Sequence, residues 1–294
     1  MQLKRIINKC FQNIPSTYNM HLKYIKARKR FYQYMKHKLG DFMVEVDPGP
    51  IGSKEIILRT QYMKKDDTPL RSKNDYYFWS GYTTMLSWLQ RLEYYSFNIR
   101  TIRTAMELGC GSARLIRHLR CIQDLRLIGT DVEEDFMHWC KLNVPGIEFY
   151  VNDLRPPLSF AEDNSIDLVF ARSVFTHIPL DIQGLWIKEL HRIIRPGGYA
   201  ILNVLGRRQE LLMLNPEDQA LIRKQGHLTL DSNNLKASYA TQLIGSWDVF
   251  QSRSEVLKAF GSMFHICDYT PNALVLYKSD GMAIKPCGCY DHEI

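Results

Sequence analysis

Glu107, Asp131, Asp153 and Ser173 form a series of polar residues set 24, 22 and 20 positions apart. A carboxylate offers up to four lone-pair sites to hydroxyl and amine donors, so such a series suits a ligand that carries both. Beside the first acid runs Glu107-Leu-Gly-Cys-Gly-Ser-Ala113. Gly109 and Gly111, flanking Cys110, permit a tight turn and close backbone approach, and a helix opening there would turn its free N–H groups toward a polar ligand. Position 114 is arginine where the dinucleotide fingerprint has its third glycine, which weighs against NAD or FAD. His177 follows Ser173 by four residues. Histidine in this place fits a general base, or a residue that fixes the local turn. Asp131 also fits a helix N-cap, and Asp153 a turn.

These residues need a frame, and the surrounding pattern supplies one. Short β-rich runs at 103–108, 125–131, 147–151, 166–172 and 199–204 alternate with helical periods at about 112–121, 132–143 and 182–193. Strands alternating with helices imply parallel pairing with right-handed crossovers, hence a doubly wound α/β sheet. Ligands of such sheets bind beyond the carboxyl ends of the strands, where these polar residues fall.

The stretch 105–206 resembles the class I S-adenosylmethionine-dependent methyltransferases in several separate places. Glu107-x-Gly109-x-Gly111-x-Ala113 is similar to that family's first motif, with alanine for the last glycine, and Gly129-Thr-Asp131 to its second. Asn152-Asp153-Leu154 resembles the adenine turn, Ser165 to Phe170 with Asp167 the fourth strand, and Arg195-Pro-Gly-Gly198 the turn before the fifth. The run Ser173 to Pro179, with Trp139-Cys140 and Pro156-Pro157-Leu158, is similar to enzymes acting on small molecules and glycans. The resemblance implies a Rossmann-like, seven-stranded, mostly parallel sheet closed by an antiparallel hairpin at 263–269 and 273–277, and S-adenosyl-L-methionine as cofactor. It implies that Glu107 orients the glycine turn and, through water, the methionine ammonium. Gly109, Cys110 and Gly111 would contribute backbone. Asp131 would accept the ribose hydroxyls and Asp153 the adenine amine, with Leu154 on the ring. Carbonyls near Ser173 would face the ammonium. A sulfonium already activates the methyl group, so the protein mainly aligns the acceptor lone pair, and His177 serves as base where the acceptor is a hydroxyl.

The whole chain of 294 residues, 45% apolar and 23% charged, is ordinary globular composition. It has no apolar run near the roughly 18 residues of a membrane span and no apolar leader block. Seven scattered cysteines argue against a disulfide framework, so a cytoplasmic protein is expected. The net charge of +7 arises in residues 1–40, which hold ten Lys and Arg and no Asp or Glu. Leu3, Ile6, Ile7, Cys10, Phe11 and Ile14 make one helical face, and Met20, Tyr24, Ala27, Phe31 and Met35 a second, in a helix over 18–39 that ends at Gly40. The second stripe fits packing on the body, an anionic membrane surface, or nucleic acid. The expected organisation is a basic helical extension at 1–40, a methyltransferase domain at 41–280 with a substrate lid at 206–250, and a flexible tail at 281–294. Aromatics at 76–82 open a helix that packs before the first strand, with some able to reach the cofactor's open end. The lid carries Arg207, Arg208, His227, Tyr239 and Trp247, and the arginines could pair a substrate anion. Cys287, Cys289 and His292 fall short of zinc's usual four ligands, so no metal is expected.

The leading expectation is methyl transfer to an oxygen, before nitrogen, of a small molecule or glycan. Arg172-Ser-Val-Phe175 lacks the Asn/Asp-Pro-Pro-aromatic run of enzymes that methylate planar amino groups. An RNA-directed methyltransferase using the basic extension, and a silent cofactor-binding subunit, are the other two readings.

Overall fold

In the computed structural model, which describes residues 17–50, 70–231, 247–270 and 273–281, the aliphatic runs become the strands of a central sheet. β1 (Thr104–Leu108), β2 (Arg126–Asp131), β3 (Glu148–Val151), β4 (Ile166–Ala171) and β5 (Ile194–Leu202) pair in parallel, in the spatial order 3-2-1-4-5. β6 (His227–Asp231) and β7 (Trp247–Gln251) form a separate antiparallel pair. β8 (His265–Thr270) and β9 (Ala273–Tyr277) then complete the main sheet, with β9 antiparallel to both β5 and β8. The sheet is thus the seven-stranded, doubly wound one expected, with its closing hairpin. Winding reverses between β1 and β4, which makes the carboxyl edge there the natural ligand crevice.

Burial explains why the strand signal was so plain. Every residue of β1, β4 and β9 is buried, the expectation for strands covered on both faces. Alternate residues serve opposite layers. Ala105, Leu127, Leu168, Phe170 and Val275 pack in one cluster with α1 (Thr17–Leu39) and α2 (Leu70–Tyr94). Met106, Ile128, Val169, Ala200 and Leu276 pack in the other, under α4 (Leu180–Ile193) and α7 (Arg253–Gly261). α3 (Glu134–Asn143) joins the first layer through Met137 and Cys140. Of the uses open to the stripe of α1, packing is the one observed: Met20, Phe31 and Met35 are buried, the last two beside Tyr82 and Met85 of α2. Gly40 ends the helix at φ +59°.

Residues 112–121 differ from the α-helix expected there. A turn leads into a short 3-10 helix, Ile116–Cys121. Gly109, Gly111 and Ala113 take φ of +68°, +52° and +61°, which α geometry forbids. The carbonyls of Ser112 and Ala113, which a helix would have used, are instead taken by the buried Arg117 guanidinium at 2.6 and 2.8 Å. Its remaining donor group reaches Pro48 and Pro50 carbonyls. The N-terminal face at 3–14, Tyr239 and the cysteines of the tail lie outside the described residues.

Candidate active site

Register brings the strand ends level. Leu108 is paired with both Thr130 and Ala171, and Asp131 with Val151. The glycine turn, Asp131, the turn after β3 and the turn after β4 therefore open on one edge.

The glycine turn is held from three sides. Gly109 and Cys110 donate to the Thr130 carbonyl at 2.7 and 3.0 Å. Asp131 accepts from Gly111 N at 2.7 Å and, through its other oxygen, from Glu133 N at 3.0 Å. From behind, the buried Tyr77 hydroxyl donates to the Ser112 carbonyl at 3.0 Å. One residue of the α2 aromatic cluster thus reaches the turn, while Tyr82 lies in the core. Glu107 is buried and accepts from Ile116 N at 2.9 Å, pinning the 3-10 helix to the end of β1. Cys110 turns its side chain inward, with Sγ 3.9 Å from Met137 Sδ. Burial, then the nearby Asp131 and Glu107 charges, pushes that thiol well above its ordinary range, so it stays neutral and inert. Only its backbone is left to meet a ligand.

Beyond β3, Asp153 is exposed and Leu154 half-buried. Asn152 joins the site through Thr130, whose hydroxyl donates to Asn152 Oδ1 at 2.7 Å. Beyond β4, Ser173 is exposed at φ +60°, and its N–H donates to Asn203 Oδ1 at 2.7 Å. Asn203 was not anticipated, although it sits one residue past β5 just as the other polar residues close their strands. His177 Nδ1 lies 3.0 Å from the Trp247 carbonyl and 3.2 Å from Asp248 Oδ1. Both partners only accept, so Nδ1 carries the proton and Nε2 is the basic nitrogen of the neutral ring. β7 is fixed there by a bond from Val249 N to the Thr176 carbonyl at 2.9 Å and by one from Gln251 N to the Leu205 carbonyl at 3.0 Å. Asp248 lacks any motif and could not be found by spacing.

Two other named residues serve structure. Asp167 accepts from Arg103 and Thr104 N–H at 2.9 and 2.8 Å and pairs with Arg195, tying the starts of three strands together. Arg207 pairs with the buried Glu210 of its own helix, α5 (Arg207–Met213), so its charge is engaged locally.

The acceptors fit a nucleoside. The Asp131 oxygens accept N–H bonds, a carboxylate oxygen can accept from more than one donor, and the adjacent glycine turn leaves room for close approach. A doubly wound sheet with polar groups at its reversal point is the arrangement of the Rossmann-like class. Residues 106–202 match the family model described as a methyltransferase domain. A protein of Pyrococcus horikoshii OT3 superposes with a TM-score of 0.51 at 16% identity, over 78% of this chain and 100% of that one, which shows likeness of fold. A Mesorhizobium loti S-adenosylmethionine-dependent methyltransferase aligns with TM-score 0.45 and 16% identity over 59% of this chain and 88% of that one. Human N-acetylserotonin methyltransferase, solved with S-adenosylmethionine, aligns with TM-score 0.46 and 14% identity over 76% and 59%. Residues 106–202 thus carry a methyltransferase domain, with S-adenosyl-L-methionine as its methyl donor.

Proposed function

We propose that the enzyme methylates a hydroxyl oxygen, in preference to nitrogen, of a small molecule or glycan, with His177 as general base. The observation that carries this reading is the His177–Asp248 pair. A sulfonium needs no activation; a neutral amine can attack with its lone pair and shed its proton afterwards, whereas an alcohol must lose its proton as it attacks, so a base with a defined tautomer suits a hydroxyl acceptor best. Asp248 and the Trp247 carbonyl hold the ring's Nδ1–H, and Nε2 takes the acceptor proton. Asp131 would hold the ribose, Asp153 and Leu154 the adenine, and the backbone of Gly109, Cys110, Gly111 and Ser173 the methionine end. The bound cofactor supplies the electrophilic methyl group. The segment 206–250, which delivers Trp247 and Asp248, would cover the acceptor and keep water out.

The test is methyl transfer from labelled S-adenosylmethionine to a panel of hydroxyl and amine acceptors. With a hydroxyl acceptor, His177→Ala should lower kcat by about 10²–10⁴-fold. Asp248→Asn should lower it less and shift the pH profile. Both variants should keep the stabilisation given by S-adenosylhomocysteine, about 2.7 kcal/mol at a hundred times its dissociation constant. Asp131→Ala should lose that stabilisation. Full activity of His177→Ala on every hydroxyl acceptor would overturn the assignment of the base.

A further inference from the structure

The buried stripe of α1 accounts for one side of that helix and leaves the opposite side unexplained. Leu22, Ile25, Lys26, Lys29, Gln33 and Lys36 recur at helical spacing on that outer face. Ile25 is 45% exposed, and Phe42, just past the helix, is 63% exposed. Lys26, Lys29, Arg30 and Lys36 have no ion-pair partner among the described residues. α1 itself contains no Asp or Glu. A groove of about 710 Å³ runs along its flank, with Ile25, Tyr32 and Met43 among its apolar walls and Lys29, Lys36, His37 and the Arg28–Glu45 ion pair at its polar positions.

A solvated helix face has no use for exposed Leu, Ile and Phe among unpaired lysines. The combination of aliphatic side chains with cationic neighbours is the one that suits a lipid headgroup boundary, where apolar groups enter the acyl edge and lysines meet anionic headgroups. Nucleic acid would require several aromatic faces free to stack on bases, and of the rings along this face Phe42 is the exposed one. The two tyrosines of the groove are engaged instead. Tyr24 packs against Phe78 and Tyr82, with ring centroids 5.8 and 6.3 Å away. The Tyr32 hydroxyl donates to the Val46 carbonyl at 2.9 Å. The chain's own residues 1–14 carry three basic groups and no acid, so charge opposes their occupying the face.

We propose that the outer face of α1, with Phe42, is a docking surface for an anionic phospholipid bilayer. It holds the enzyme peripherally, on the layer of the molecule that carries α1 and α2. The full chain should sediment with phosphatidylcholine vesicles containing phosphatidylserine and not with pure phosphatidylcholine vesicles. Each lysine near the surface contributes roughly a fivefold change in partitioning, so K26Q/K29Q/K36Q should lose about a hundredfold. I25S/F42S keeps every charge and should also weaken binding. Both variants should keep the midpoint shift given by S-adenosylhomocysteine, which verifies that they fold. Equal binding to neutral vesicles, no binding to anionic ones, or full binding by either variant would overturn the proposal. Salt-sensitive retention of single-stranded RNA, lost in K26Q/K29Q/K36Q but intact in I25S/F42S, would assign the face to nucleic acid instead.

Discussion

Gly109→Ala tests how the glycine turn is held against the turn after β4. Gly109 has φ +68°, a conformation that costs an alanine about 1 kcal/mol. A Cβ there would also stand under 3.0 Å from Val174 Cγ2 and 3.7 Å from Val174 Cβ. Val174 is β-branched and has few rotamers into which it can retreat, and overpacking of this kind adds about 1–3 kcal/mol. Gly40 is the control, since its φ is +59° and an added Cβ meets nothing within 4 Å. Gly40→Ala therefore carries strain alone. Thermal unfolding should show a midpoint lower by about 2–4 °C for Gly40→Ala and two to four times that for Gly109→Ala. Adding Val174→Ala to Gly109→Ala should recover the packing part, giving a coupling of about 1–3 kcal/mol in a double-mutant cycle. Gly109→Ala should also lose the stabilisation by S-adenosylhomocysteine, because the turn must move to accept the methyl. Equal losses at Gly40 and Gly109, or additivity of the Gly109 and Val174 changes, would refute this account of the turn.

Asp167→Ala removes the buried carboxylate that accepts from the N–H groups of Arg103 and Thr104 and pairs with the partly exposed Arg195 guanidinium. It should cost about 2–4 kcal/mol in urea unfolding and leave the response to S-adenosylhomocysteine intact, since Asp167 lies at the opposite end of the strands. A lost response with unchanged stability would contradict that role. His118 governs a pH effect. Burial, then the charges of Arg117, Arg114 and Arg120, hold its imidazole well below the ordinary range. Unfolded His118 takes up a proton near pH 6.5; folded, it does not. The unfolded state then binds more protons, so its contribution to stability is full above that pH and is lost as pH falls, by up to about 1.4 kcal/mol per unit. Urea unfolding at pH 7.5 and 5.5 should show a shallower loss for His118→Phe, which keeps a ring against Tyr82, 3.9 Å away between centroids. An identical slope in the variant would exclude His118 as the source.

What could be read from residue order was set by local periodicity and by burial on both faces. β1 and β4 are wholly buried runs, apolar but for Thr104, Glu107 and Asp167, because both faces are covered, and the polar residue that closes or follows a strand marks its end whatever the partner strands are. That is why Glu107, Asp131, Asp153 and Ser173 were legible together, and why Asn203, which obeys the same rule, was within reach. The fates of Glu107 and Asp167 depend on which N–H groups the fold brings to them, and both acids proved to anchor backbone. The segment after Gly111 departs from a helix for a similar reason. Arg117 removes the carbonyls a helix needs, and it is held there by the distant Pro48 and Pro50 carbonyls, which no window of sequence contains.

The proposed acceptor side of the site is built by longer-range closure still. His177 gains its partners from Trp247 and Asp248, 70 and 71 residues further along, on a strand whose own sequence alternates no more tellingly than many others. The cofactor half rests on short turns of the central sheet and is written in motifs. The proposed acceptor half rests on β7 seated against Thr176 and Leu205 through backbone bonds that any residue could make. Side chains there can change without disturbing the sheet, so under the function proposed above the choice of acceptor would be recorded in this three-dimensional contact and not in residue spacing.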